Sequence, residues 1–135
     1  FDPWNEMKFD YIVDDVSGVS ELIAEISPWF DDTSCATGVD GTDLIIDVIN
    51  KSKLYLNSNG KLFFPVLSLS NVNKIVNCAQ NEFDKIARLS RKECIMPKEL
   101  ASHLEELKEL KNKSIIDYNE KFGMLIWYTD IYVAW

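Results

Sequence analysis

Short apolar runs rich in β-formers alternate along this chain with segments of helical period, and that alternation limits the folds open to it more than any other feature. Phe9–Val13 (FDYIV), bounded by charge, predicts a buried strand. Val19, Leu22, Ile23 and Ile26 then keep the i, i+3, i+4, i+7 spacing of one helix face; Ser17 or Ser20 is placed to cap that helix and Pro28 to stop it. Thr42–Asn57 predicts a second amphipathic helix with Ile45, Val48, Ile49 and Leu56 on one stripe, and Asn57-Ser58-Asn59-Gly60 reads as its terminator. Lys61–Leu67 (KLFFPVL) predicts a strand, with Pro65 near its carboxyl end or at a bulge.

Asn71 is the expected cap of a third helix reaching about Asn81, with Val72, Ile75, Val76 and Ala79 inward. Phe83–Lys92 is a candidate strand. Pro97 suits the first turn of a helix whose stripe is Leu100, Leu104 and Leu107 and which runs to about Lys113. The segment KFGMLIWYTDIYVAW predicts one long strand or a hairpin turning at Thr129-Asp130. The expected architecture is α/β with a mainly parallel sheet and helices on both faces.

In such sheets ligands bind outside the carboxyl ends of the strands. Asp14, Asp15, Val16 and Ser17 occupy that position after the first strand, and Val66–Ser70 after the second. Residues 27–41, rich in Pro, Gly, Ser, Thr and Asp, predict a long loop. Its Trp29 and Phe30 either flap over a ligand or pin the loop to the core. Asp14 and Asp15 have two readings: solvated strand-end residues, one helping to cap the next helix, or groups that hold a substrate. In the second, Asp14 accepts hydrogen bonds from an amine and serves as its base. Asp31 and Asp32 are the residues that could join them around a hard cation, but the spacing matches no metal loop.

With 135 residues, 47% hydrophobic and 27% charged, the chain suits one globular domain. A net charge of −8 argues against non-specific binding to a phosphate backbone. No apolar run approaches the roughly 18–20 residues of a membrane span, and no signal-peptide pattern opens the sequence. Cys35, Cys78 and Cys94 are odd in number, widely spaced and form no CxxC pair, so buried thiols and a cytoplasmic location are expected. His103, among Glu and Lys, reads as a solvated helix residue.

The motifs FDYIVDDVSG and GVDGTDLIIDVINKSKLYLNSNGKLFFPV, in that order, resemble the carboxyl-terminal half of a class I S-adenosylmethionine-dependent methyltransferase, most closely the glutamine-N5/adenine-N6 type typified by release-factor glutamine methyltransferases. In that family an "FDxIV" strand ends in an Asn-Pro-Pro-Tyr-like loop, and a "DG-x-D" helix start and an "L-x-x-G-G" turn follow. Asp40-Gly41-Thr42-Asp43 and Leu56-Asn57-Ser58-Asn59-Gly60 fill the latter places, and Phe1-Asp2-Pro3-Trp4 looks like the segment leading into the fourth strand.

The resemblance implies a Rossmann-like methyltransferase sheet, with residues 1–135 forming its carboxyl-terminal part in strand order 4-5-7-6. It implies S-adenosyl-L-methionine as cofactor and a nitrogen nucleophile as substrate. Asp14 would be the catalytic residue, with Asp14, Asp15, Val16, Ser17 and Trp29 binding substrate. The family's glycine-rich cofactor loop belongs to an amino-terminal half that this sequence does not contain. The expected partner is therefore that half, or a second chain that completes the sheet. The Asn-Pro-Pro-Tyr loop reads Asp14-Asp15-Val16-Ser17 here, without its prolines or its aromatic residue. The alternative function is a non-catalytic binding or scaffold module that pairs through its open sheet edge.

Overall fold

The structure, a computed structural model, describes residues 7–16, 18–30 and 35–135. Ser17, Asp31, Asp32 and the Phe1–Trp4 segment lie outside the described residues. Strand β1 (Phe9–Val13) leads to helix α1 (Glu21–Ile26) and a 3-10 turn at Pro28–Phe30. Helix α2 (Asp43–Ser52), strand β2 (Leu56–Leu67), helix α3 (Val72–Glu82) and strand β3 (Ile86–Ile95) follow. Two short helices, α4 (Lys98–Ala101) and α5 (Leu104–Asn112), precede strands β4 (Asn119–Lys121) and β5 (Met124–Ala134).

The sheet runs β1-β2-β5-β3, with β4 also against β5. Only β1 and β2 are parallel; β5 runs antiparallel to β2, β3 and β4. The expected mainly parallel, Rossmann-like methyltransferase sheet is therefore corrected to a mixed, largely antiparallel one. The reason lies in the connection after β3. Helices α4 and α5 carry the chain back so that β5 enters between β2 and β3 against the direction of both. A tight β4–β5 turn at Phe122-Gly123, both at positive φ (53° and 74°), makes the hairpin. Thr129-Asp130, one expected turning point, lies instead in the middle of β5.

Two apolar clusters hold the layers together. On one face Leu62, Phe64 and Val66 of β2 meet Ile45 and Ile49 of α2 and Ile75 and Ala79 of α3. The second cluster joins Val19 and Ile23 to Leu100, Leu107 and Leu110 of the α4–α5 pair. α3 starts as expected, with Asn71 Oδ1 accepting from Lys74 N–H at 3.1 Å. α2 ends earlier than predicted: Leu56–Gly60 belong to β2, not to a helix tail. The expected 97–113 helix is broken at Ser102-His103, with His103 Nδ1 3.5 Å from Glu106. Pro65 sits two residues past Phe63, whose carbonyl accepts Asp14 N–H at 2.8 Å. Its missing N–H thus faces the side where β1 has already ended.

Asp130 is wholly buried on β5 and is met by Arg91 in a two-pronged contact, Nε to Oδ1 and Nη2 to Oδ2, both 2.7 Å, with Arg88 Nη1 at 3.4 Å. The Arg91 guanidinium also lies 3.7 Å from the Tyr128 ring centroid. Burial alone would raise the Asp130 carboxyl, but the hydrogen bonds and charges of Arg91 and Arg88 hold it below the usual value.

A turn at residues 37–43 ties the ends of β1 and β2 together. Ser20 Oγ donates to Val39 O (2.6 Å), Ser20 N–H to Leu69 O (2.9 Å), and Asn71 N–H to Asp40 O (2.9 Å). Thr37 Oγ1 donates to Val19 O, and Asp40 is held by Thr42 Oγ1 (2.6 Å) and Lys74 Nζ (2.9 Å). Gly41, at φ +72°, lies so close that a Cβ there would sit 2.5 Å from Ser20 N and 2.6 Å from Val19 C. The Asp40-Gly41-Thr42-Asp43 motif is thus a clasp between two strand ends as well as a helix start. Gly41→Ala should destabilise the fold by roughly 2–4 kcal/mol, from the left-handed backbone and the backbone clash together, measured by urea denaturation.

Candidate functional site

The clasp fixes where the chain leaves β1, and the residues there wall one side of a groove. Asp15, Val16, Gly18 and Val19 face Pro65 and Leu67 of β2 and Trp127, Thr129 and Ile131 of β5, with Trp29 and Phe30 from the 3-10 turn. The groove encloses about 790 Å³ and opens beyond the carboxyl ends of the parallel pair β1–β2. Trp29 meets Trp127 at a ring-centroid distance of 5.7 Å and a tilt of 54°, so the loop aromatic is pinned by a strand aromatic and still lines the groove.

Of the residues expected at the site, Asp15, Val16 and Trp29 line this groove. Asp14 is 7% exposed and lies outside the lining residues; Ser17 falls outside the described residues. Asp14 Oδ1 accepts the Val16 N–H at 3.1 Å, which shapes the turn after β1. Its Oδ2 is buried with no hydrogen-bond partner among the described residues, and the same holds for Trp127 Nε1. Burial raises the Asp14 carboxyl above its ordinary value, opposed by the Val16 N–H and reinforced by the Asp15 charge.

Leu67 falls in the Val66–Ser70 segment expected after the second strand, but Pro65, Trp127, Thr129 and Ile131 were not among the expected site residues. The period-two run Trp127, Thr129, Ile131 carried the only local signal, because those positions share one face of a strand. Their meeting with Asp15 depends on β5 pairing with β2, a long-range choice.

Two further places hold polar side chains. A recess of about 220 Å³ at the start of α3 is bordered by Ser70, Asn71, Lys111, Asp117 and Tyr128. Tyr128 donates to Asp117 Oδ2 (3.1 Å), and burial, then the Asp117 charge, pushes its phenol up to about 12. Lys111 pairs with Asp117 at 3.1 Å and also donates to Tyr118 O. These groups satisfy one another. Among the described residues no three His, Cys, Asp or Glu side chains gather as metal ligands, no disulfide joins the cysteines, which are half-buried, and no helix is long and apolar enough to cross a membrane.

Comparison of the chain with protein-family models, curated proteins and solved structures finds no match.

The unpartnered Asp14 oxygen has a consequence for stability. Because the folded-state pKa lies above the unfolded value of about 3.8, the native state binds more protons in the window just above that value. Asp14's contribution is therefore most favourable below it and declines as pH rises through the folded pKa. Asp14→Asn should be more favourable to stability at pH 7 than at pH 3, where the Asp14 carboxyl is already neutral, measured by urea denaturation at both values.

Proposed function

We propose that the groove is the substrate-side part of an S-adenosylmethionine-dependent methyl-transfer site acting on a nitrogen nucleophile. The observation that carries this reading is the placement of Asp15, Val16 and the Trp29–Trp127 pair at the carboxyl end of the parallel β1–β2 pair, directly after the FDYIVDDVSG motif. A planar, nitrogen-bearing group fits such a wall: the indoles offer stacking surface, and the Asp15 carboxylate accepts N–H hydrogen bonds at the rim. Asp14 supports the site from behind. It holds the turn through Val16 N–H and keeps one carboxylate oxygen unused, a ready acceptor if the turn opens toward substrate.

The described residues do not form a seat for the cofactor. Gly38 and Gly41, which a close-approaching ligand would need open, are already filled: a Cβ at Gly38 would meet the Asp43 carboxyl at 2.5 Å, and Gly41 abuts Val19 and Ser20. Gly18 stands in open space with no glycine-rich turn around it. On this reading the cofactor is presented by another segment or chain, and the present residues bind and orient the nitrogen compound and keep water from it.

A second reading, a non-catalytic module that pairs through its sheet edge, is favoured by the contrast between the two outer strands. β3 carries Arg88, Arg91, Lys92 and Glu93, the charges that guard an edge. β1 carries Tyr11 and Val13, 66% and 76% exposed, and among the described residues no strand pairs with its outer side.

Adenine and N-acetylglutamine amide, titrated separately and followed by amide chemical shifts, distinguish the readings. The first reading expects one of them to shift Asp15, Val16 and the Trp29 and Trp127 indoles. Trp29→Ala should weaken that binding about tenfold, and S-adenosylmethionine alone should leave the spectrum unchanged. Absence of a response to both compounds leaves the scaffold reading.

A further inference from the structure

The register of the strands builds a second surface beside the groove, on the same sheet face. Tyr11 pairs with Lys61, and Val13 with Phe63. Phe63 in turn lies beside Val133, and Val133 beside Ala87. One row further down, Trp135 exchanges two backbone hydrogen bonds with Lys85, both 2.9 Å. Period-two alternation puts all of these on one sheet face, opposite the face that α2 and α3 cover. The lowest row thus reads Tyr11, Lys61, Trp135, Lys85 across the sheet. The Trp135 ring has Lys61 Nζ at 5.7 Å and Lys85 Nζ at 5.9 Å from its centroid. The row above it is apolar and is led by Val13.

Two features say what belongs there. The first is the parallel β1–β2 pair. Parallel strands occur with both faces covered, whereas antiparallel strands tolerate one wet face. Helices α2 and α3 cover the β1–β2 pair on one face; on the other, the α1–α4–α5 cluster reaches only Leu67 at the end of β2, and Tyr11 and Val13 remain mostly exposed. The second is charge. The chain carries −8 overall, yet the strands of this face hold Lys61 and Lys92 and no carboxylate, with Lys85 just before β3 and Asp15 just past β1. A surface with an apolar centre and a lysine margin, on an otherwise acidic protein, is complementary to an apolar stripe with acidic flanks.

We propose that this face docks an amphipathic helix of a partner polypeptide, its apolar stripe over Tyr11, Val13 and Phe63 and its acidic flank toward Lys61 and Lys85. The net charge of −8 favours a helix over a single-stranded nucleic acid, whose phosphate backbone the chain as a whole repels.

The test uses the whole chain and three probes in calorimetric titration: a helical peptide with a leucine stripe flanked by glutamates, the same stripe flanked by lysines, and a single-stranded oligothymidylate. The glutamate-flanked peptide should bind, at least about tenfold more tightly than the lysine-flanked one, and added salt should weaken it. The double variant K61E/K85E, whose circular dichroism should match the parent's, should reverse the preference between the peptides. If that variant fails to fold, the salt dependence and the two-peptide ratio of the parent decide. Equal binding of both peptides, no binding of the glutamate-flanked peptide, or tighter binding of the oligothymidylate overturns the proposal. So does a concentration-dependent dimer of the chain that protects Tyr11 and Val13, because a second copy is then the occupant.

Discussion

Strand β5 is the member on which the rest of this molecule depends. It hydrogen-bonds to β2 along one side and to β3 along the other, and it also pairs with β4. Without it, β2 keeps only its short parallel partner and β3 keeps none. It supplies Leu125 to the α4–α5 cluster and Ala134 to the α2–α3 cluster, so both apolar cores reach across it. It also brings Trp127, Thr129 and Ile131 to the groove. Fold and site thus share one long-range pairing, the kind that forms only after local structure is in place.

The groove is held by rigid neighbours rather than by its own loop. The turn at 37–43 clasps both strand ends, and the Trp29–Trp127 contact fixes the 3-10 turn against β5. Against that scaffold stands a local conflict: a buried carboxylate oxygen and a buried indole N–H, each without a partner among the described residues. Buried polar groups are nearly always satisfied, and exceptions concentrate where a protein binds something.

Much of this was legible locally. Phe9–Val13 forms a strand as its composition predicts, though an exposed outer one rather than the buried strand expected, and α3 follows its cap at Asn71 and its Ile75–Ala79 period, because these signals span a few residues. Leu56–Gly60 misled, since Asn-Ser-Asn-Gly has the chemistry of a helix end. In the fold, the β1–β2 register is irregular opposite this stretch, and a Cβ on Gly60 would lie 2.9 Å from Phe9 O. The glycine is there for close approach of two strands, a reason invisible until the strands are paired. The sheet's direction was misread for a similar cause. Alternating strands and helices suggest parallel crossovers, but the choice of neighbours for β5 is made by distant residues. At the groove, Asp15 and Val16 followed from the position of a strand end and Trp29 from the loop at 27–41; the β5 wall did not, for the same reason.

The buried Asp130 adds a selectivity that apolar packing alone would lack. A strand flanked on both sides has many near-degenerate alignments, and its alternating apolar residues fit several of them by shape. A slip of one position would turn Asp130 to the opposite face, away from Arg91 and Arg88, and leave a carboxylate among apolar side chains. Misaligned sheets are therefore excluded by an energetic gap between competing topologies, and the single acidic residue inside β5 acts as an error check on assembly.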